Sequence, residues 1–255
     1  MFPVINLGPV VLPTAGLLYI LGVWFALSLV ERTAKQLKLS SEKTYGAAAT
    51  ALFGGLIGAR LTFVAIYWQA FQDNLLGIIW PLNTGYNLWG GLVIGLAAAF
   101  FYGRYHKLPA ASTLDALAPG LILGLIIVSL ADFLAGPGFG ALTRVPWAIN
   151  QYNMRRHPVQ IYEVLVGALA LLVWWRLRNG RLFQGQLFLL SVSVYSGGRL
   201  LVDAFRENAW LSDGGYHILQ ILSLIVMIGS LYLAAYLGEK EVQKRQQINQ
   251  ANGQP

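Results

Sequence analysis

Seven long apolar runs separated by short polar segments dominate the chain of 255 residues. They are Leu12–Val30, Thr44–Trp68, Leu88–Tyr102, Leu114–Leu134, Val159–Trp175, Gln184–Leu201 and Tyr216–Leu237. A hydrocarbon core of roughly 30 Å needs about 20 mostly apolar residues per helix. Each run is therefore expected to cross, with the third and fifth the shortest. Lipid offers nothing to unpaired backbone groups, so spanning segments satisfy them internally as helices. The pattern predicts an all-α polytopic membrane protein, a bundle of about seven transmembrane helices over residues 1–237. No separate soluble domain is visible. Residues 238–255 read as a polar cytoplasmic tail, expected to be disordered. The leader MFPVINLGPVVLPT carries no Lys or Arg. It lacks the basic n-region of a cleavable signal peptide, so the first helix is expected to be retained.

Composition supports a lipid-facing surface. Hydrophobic residues make up 56% of the chain and charged residues 11%, against about 25% charged in a soluble domain. Lys and Arg in alternate connections divide 12 to 4 between the two sides. Arg60 and Arg199 lie inside spans. Because Lys and Arg accumulate in cytoplasmic loops, the N-terminus is expected outside and the C-terminus in the cytoplasm. The net charge of +7 is then orientation charge. No aromatic-interleaved basic patch favours a nucleic-acid partner. With no cysteine, disulfides, zinc thiolates and a cysteine nucleophile are excluded.

A charge inside a span costs about 2.5–3.5 kcal/mol on insertion scales, so each such residue needs a reason. Arg60, Asp132, Glu163, Arg199, Asp203 and Arg206 lie within or at the ends of spans. The orientation places all of them, with His157, in the outer half of the membrane. Asp115 is the exception, at the inner mouth of the fourth span. This convergence predicts a polar cavity open to the outer leaflet, where planar guanidinium forks suit a phosphate head group. A site at one end also argues against a carrier, whose site belongs near the midplane. Structural readings compete. Arg199, Asp203 and Arg206, at i, i+4 and i+7, could form a self-neutralising ladder. Arg60 could snorkel outward or pair with a carbonyl. Glu163 could be an arginine counter-ion, and His157 a loop or cap residue before Pro158. Gly90 and Gly91 read as close-packing positions between helices.

Several segments resemble prolipoprotein diacylglyceryl transferases. His157-Pro158-Val159-Gln160-Ile161-Tyr162-Glu163 is similar to that family's HPxQxYE stretch. Gly55 through Arg60 resembles its G-x-x-GAR segment, Gly90 through Gly95 its GGLIG segment, and Asp115 through Pro119 its D-x-x-AP helix start. Tyr195 through Arg206 resembles its Y-x-x-xR-x-x-x-E-x-x-R stretch, and Gln220 through Ser223 its Q-x-LS segment. The segments occur in order with matching spacing. The pattern also departs. Trp89 stands at the family's histidine before GGLIG and Ala15 at its first-helix tyrosine. Ser129 and Asp132 stand at the arginine and asparagine of its GRxxN signature.

The resemblance implies a multi-pass protein of the bacterial plasma (inner) membrane. Its reaction would move a diacylglyceryl group from phosphatidylglycerol to the thiol of a preprolipoprotein lipobox cysteine. Arg199 and Arg206 would hold the phosphate and stabilise the leaving charge, supported by Arg60. His157, Glu163 or Asp132 would act as base, with Glu163 orienting His157 or an arginine. Asp203, Gln160, Tyr162, Tyr195, Gly90 and Gly91 would support the site. No metal or cofactor is implied. The alternative is a catalytically silent relative that binds phosphatidylglycerol or another anionic phospholipid, or serves other membrane proteins as a structural subunit.

Overall fold

The computed structural model describes residues 4–7, 10–73, 75–79, 85–136 and 138–251. Its helices are α1 (Thr14–Gln36), α2 (Ser41–Ile66), α3 (Leu76–Ile79), α4 (Leu88–Tyr105), α5 (Ala110–Ala135), α6 (Val159–Leu177), α7 (Gln186–Asp203) and α8 (Ile218–Ala251). Seven of these have 18 residues or more. They coincide with the seven apolar runs. The protein is an all-α multi-pass membrane protein. Five helices, α1, α2, α5, α6 and α8, are long and apolar enough by composition alone to cross a membrane. Of the other two, α4 is rich in glycine and aromatic residues and carries Arg104 in its last turn, and α7 carries several polar residues. These include Ser191, Ser193, Ser196, Arg199 and Asp203.

Apart from the C-terminal end of α8, helix ends depart from the expected runs by up to six residues, as where α1 continues to Gln36, and other features were not expected. The first run begins as a hairpin, β1 (Val4–Leu7) paired antiparallel with β2 (Val10–Pro13), so the helix starts at Thr14. A second hairpin, β3 (Ile149–Gln151) with β4 (Met154–Arg156), lies between α5 and α6. α8 extends beyond the apolar run to Ala251 as one helix of 34 residues. Glu241 and Arg245 pair one turn apart at 3.2 Å, and Arg245 donates to the Leu182 carbonyl at 2.8 Å. Such i, i+4 pairs support a helix that the hydrophobic pattern does not demand.

The chain divides into two compact units, residues 30–113 and residues 1–29 with 114–255. In the first, α2 and α4 pack through small residues. A Cβ on Gly91 would meet Ala59 Cβ at 2.8 Å and the Gly55 carbonyl at 2.9 Å; one on Gly95 would meet the Ala51 carbonyl at 2.7 Å. A Cβ on Gly90 would collide with Thr62. Lipid tails are as apolar as leucine, so close backbone approach is what drives such a pair together. Gly90 and Gly91 are packing residues here. Asn87 caps α4, its side chain accepting from Gly90 N at 2.8 Å.

In the second unit α6, α7 and α8 pack in sequence order. Asp115, fully buried, fixes the start of α7. Its carboxylate accepts from the amides of Gly185 and Phe188, each at 2.8 Å, and from Arg181 at 3.4 Å. Its own carbonyl accepts from Trp174 Nε1 at 2.8 Å. Helix starts leave amide donors unpaired and carry partial positive charge, so a carboxylate on α5 is a good cap for them. This satisfies the polar group at one end of the unit. The functional residues gather at the other.

Candidate functional site

Glu163 lies in the second turn of α6 and is 5% exposed. Arg199, late on α7, and Arg206, three residues beyond it, both donate to the same oxygen, Glu163 Oε1. The second oxygen accepts the Ser129 hydroxyl of α5 at 2.8 Å. One carboxylate against two guanidinium groups leaves this trio with a single positive charge. Taking both arginines out of water without a counter-ion would be prohibitive, so Glu163 makes their burial possible. A buried excess of guanidinium charge with planar donor forks is suited to a phosphodiester.

Asp132, near the end of α5, interacts with the Tyr19 hydroxyl of α1 and feels the charge of Arg206. Tyr195, one turn before Arg199, also lies within electrostatic reach of Arg206. The segment between α5 and α6 folds over this end. Gly140 bridges to Arg206, and the Ala141 amide donates to the Phe205 carbonyl at 2.8 Å. Gln151 donates to the Gly138 carbonyl at 2.9 Å, and Gln160 donates to the same oxygen. The α-carbon of Gly138 has no room to spare: a Cβ there would sit 3.3 Å from Arg206 Nη1 and 3.4 Å from Gln160 Nε2. Arg156 donates to the Gly140 carbonyl at 3.0 Å.

His157 stands apart from Glu163. Its Nδ1 lies 3.1 Å from the Tyr162 hydroxyl, which accepts from Trp147 Nε1 at 2.7 Å. Its ring packs on Phe205 at 4.9 Å between centroids. Of the two partners expected for Glu163, the arginines take it and His157 does not. The ladder of Arg199, Asp203 and Arg206 is also corrected. Asp203, 1% exposed, pairs with His217 Nδ1 at 3.2 Å, while both arginines turn to Glu163. Their better partner lies on another helix.

Arg60 belongs to the other unit. It is 8% exposed and donates to the carbonyls of Gly77, Ile78 (3.0 Å) and Gly85 (2.8 Å). The rings of Phe71 and Tyr86 lie 5.2 and 5.7 Å from its guanidinium carbon. Arg60 thus fastens the described parts of the connection between α2 and α4, as the carbonyl-pairing reading anticipated.

Sequence reasoning missed Tyr19, Arg156 and His217. His217 is one of only three histidines in the chain. Weighing each of the three in turn would have brought it forward. Among the described residues no three His, Asp or Glu side chains gather as a metal-ligand set.

Fold and site together define a multi-pass membrane protein with a carboxylate-braced arginine pair at one end of a helical unit. The sequence matches the prolipoprotein diacylglyceryl transferase family over residues 3–236, and the chain belongs to that family. It is 26% identical to the phosphatidylglycerol–prolipoprotein diacylglyceryl transferase of Clostridioides difficile (strain 630) over 225 residues, 88% of this chain and 90% of that protein. The enzyme of the same name from Wolbachia pipientis subsp. Culex pipiens (strain wPip) is 32% identical, covering 80% of this chain and 82% of its own. The Enterococcus faecalis (strain ATCC 700802 / V583) relative is 27% identical over 83% of this chain and 81% of its own.

Proposed function

We propose that the protein transfers the diacylglyceryl group of phosphatidylglycerol to the thiol of a prolipoprotein lipobox cysteine. The observation that carries this reading is the pair Arg199 and Arg206 on Glu163, in a family whose relatives bear that activity in their names. The phosphodiester binds against the two guanidinium groups, sharing them with Glu163. As the C–O bond breaks, negative charge builds on the departing glycerol phosphate, and the preformed donors stabilise it. Glu163 is saturated by two arginines and a serine hydroxyl, so it positions the arginines and is a poor proton acceptor. Asp132, Tyr19 and Tyr195 line the same end. Arg60 acts on its own loop and contributes by holding it.

The 12-to-4 distribution of basic residues supports an inner-membrane orientation with the N-terminus outside and the C-terminus in the cytoplasm. The site then faces the outer leaflet, where an exported lipobox peptide would meet it.

A silent, lipid-binding relative is favoured by one observation. The arginine of the family signature is replaced by Ser129, whose hydroxyl is spent on Glu163. One experiment separates the two readings. Purified protein in phosphatidylglycerol vesicles is mixed with a synthetic lipobox peptide, and thioether product and released glycerol phosphate are quantified beside the co-purified lipid. Transfer abolished by Arg199→Ala, together with loss of bound phosphatidylglycerol, is the expected result. Retained lipid with no product in the unaltered protein would select the silent relative.

A further inference from the structure

The proposed reaction needs a group to take the thiol proton, because the thiolate is the nucleophile. We propose that His217, held by buried Asp203, is that general base. This rests on the transferase reading above.

Asp203 is the last residue of α7, one turn after Arg199 and one turn before Arg206, so it shares the arginine end of that helix. Its backbone carbonyl accepts the Arg206 amide at 3.1 Å, and its charge acts on Arg199. The Asp203 side chain is 1% exposed and that of His217 is 32% exposed. The carboxylate is therefore internal while the imidazole it holds is partly accessible. The 3.2 Å contact joins Asp203 Oδ2 to His217 Nδ1. A carboxylate only accepts, so the proton of a neutral imidazole sits on Nδ1 and the lone pair on Nε2. That is the tautomer a base requires, and the buried carboxylate stabilises the imidazolium once it forms.

The backbone around His217 is tied down. His217 bridges to Leu211, the Ile218 amide donates to the Trp210 carbonyl at 3.0 Å, and Gln220 donates to the Leu200 carbonyl on α7 at 3.2 Å. The ring is thus presented from a fixed turn. His157 has a weaker claim. Its Nδ1 faces the Tyr162 hydroxyl, which can donate or accept and so does not fix the tautomer as a carboxylate does.

In the step, the cysteine thiol gives its proton to His217 Nε2. The thiolate attacks the glyceryl carbon bonded to the phosphate oxygen. A C–S bond forms, the C–O bond breaks, and its electron pair leaves with glycerol phosphate. The imidazolium then returns the proton to that phosphate. No oxidant or further reactant is needed. His217 is the catalytic residue and Asp203 its positioning residue.

The test uses the full chain in phosphatidylglycerol vesicles with a lipobox peptide. His217→Gln is expected to lower kcat by about a hundredfold to ten-thousandfold, the usual weight of general-base catalysis. The KM for peptide and the amount of co-purified phosphatidylglycerol are expected to hold. His217→Gly is expected to regain activity with added imidazole. Asp203→Asn is expected to lower kcat, and Asp203→Glu to restore part of it. A His217→Gln enzyme within about threefold of the unaltered kcat overturns the assignment, since general-base loss is far larger. So does a loss accompanied by release of bound lipid and not rescued by imidazole, which marks a structural pair. A larger kcat loss in His157→Gln, with lipid retained, transfers the role to His157. An unaltered protein that never modifies the peptide overturns the transferase reading itself, and the base with it.

Discussion

Glu163→Gln removes the single negative charge that braces Arg199 and Arg206 while keeping side-chain size. The side chains of Glu163, Arg199 and Arg206 are 6%, 20% and 15% exposed, so water cannot replace the lost partner well. Breaking a buried ion pair on one side costs about 3–5 kcal/mol, because the remaining charge is left uncompensated. Here two charges of the same sign remain, and the glutamine nitrogen adds a donor among donors. At about 2–4 °C per kcal/mol for a protein of this size, the midpoint of unfolding in lipid-free detergent should fall by about 6–20 °C. Phosphatidylglycerol supplies the missing anion. A ligand at a hundred times its Kd stabilises by about 2.7 kcal/mol, so the variant should recover most of the loss on lipid addition. The unaltered protein should gain less, since the phosphate there competes with Glu163 for the same donors. The assay is thermal unfolding with and without phosphatidylglycerol micelles. A drop under about 2 °C, less than 1 kcal/mol at that conversion, or a lipid shift equal in both proteins, would refute the claim that Glu163 holds the phosphate donors.

Asp115→Ala strips the acceptor from the Gly185 and Phe188 amides and from Arg181. At about 1–3 kcal/mol per orphaned buried donor the two amides alone predict a loss of about 2–6 kcal/mol in detergent unfolding, and a loss below about 1 kcal/mol would contradict the cap. Gly95→Leu should prevent close approach of α2 and α4 and abolish recovery of folded protein in detergent. Gly103→Ala, where nothing lies within 4 Å of the added carbon, should be stabilising by about 0.4–1 kcal/mol through the unfolded chain; equal behaviour of the two variants on size-exclusion chromatography would remove the packing argument. The chain has no cysteine, so single-cysteine reporters map orientation directly. A cysteine between Arg176 and Phe183 should be shielded from an impermeant maleimide in intact cells, and labelling there would invert the proposed topology.

The seven helices were legible in the sequence because a bilayer imposes length and apolarity on each crossing segment independently of its neighbours. Predicted and observed bounds of α6 agree at Val159 and differ by two residues at the other end. The same reasoning ended α8 near Leu237. Its polar continuation to Ala251 depends on local charge pairs and a tie to Leu182 that hydropathy does not register. The polar residues of the site were also legible, since a charge in a span is costly enough to require a partner. Which partner was not. Spacing along α7 offered Asp203 to Arg199 and Arg206, yet both arginines reach Glu163 on α6, and Asp203 goes to His217. Helical periodicity gives the face on which a side chain lies, but a pair forms where two helices bring opposite charges together in a dry space. That choice belongs to tertiary packing. So does the difference between His157 and His217, which as isolated histidines are chemically alike and differ only in what stands beside Nδ1.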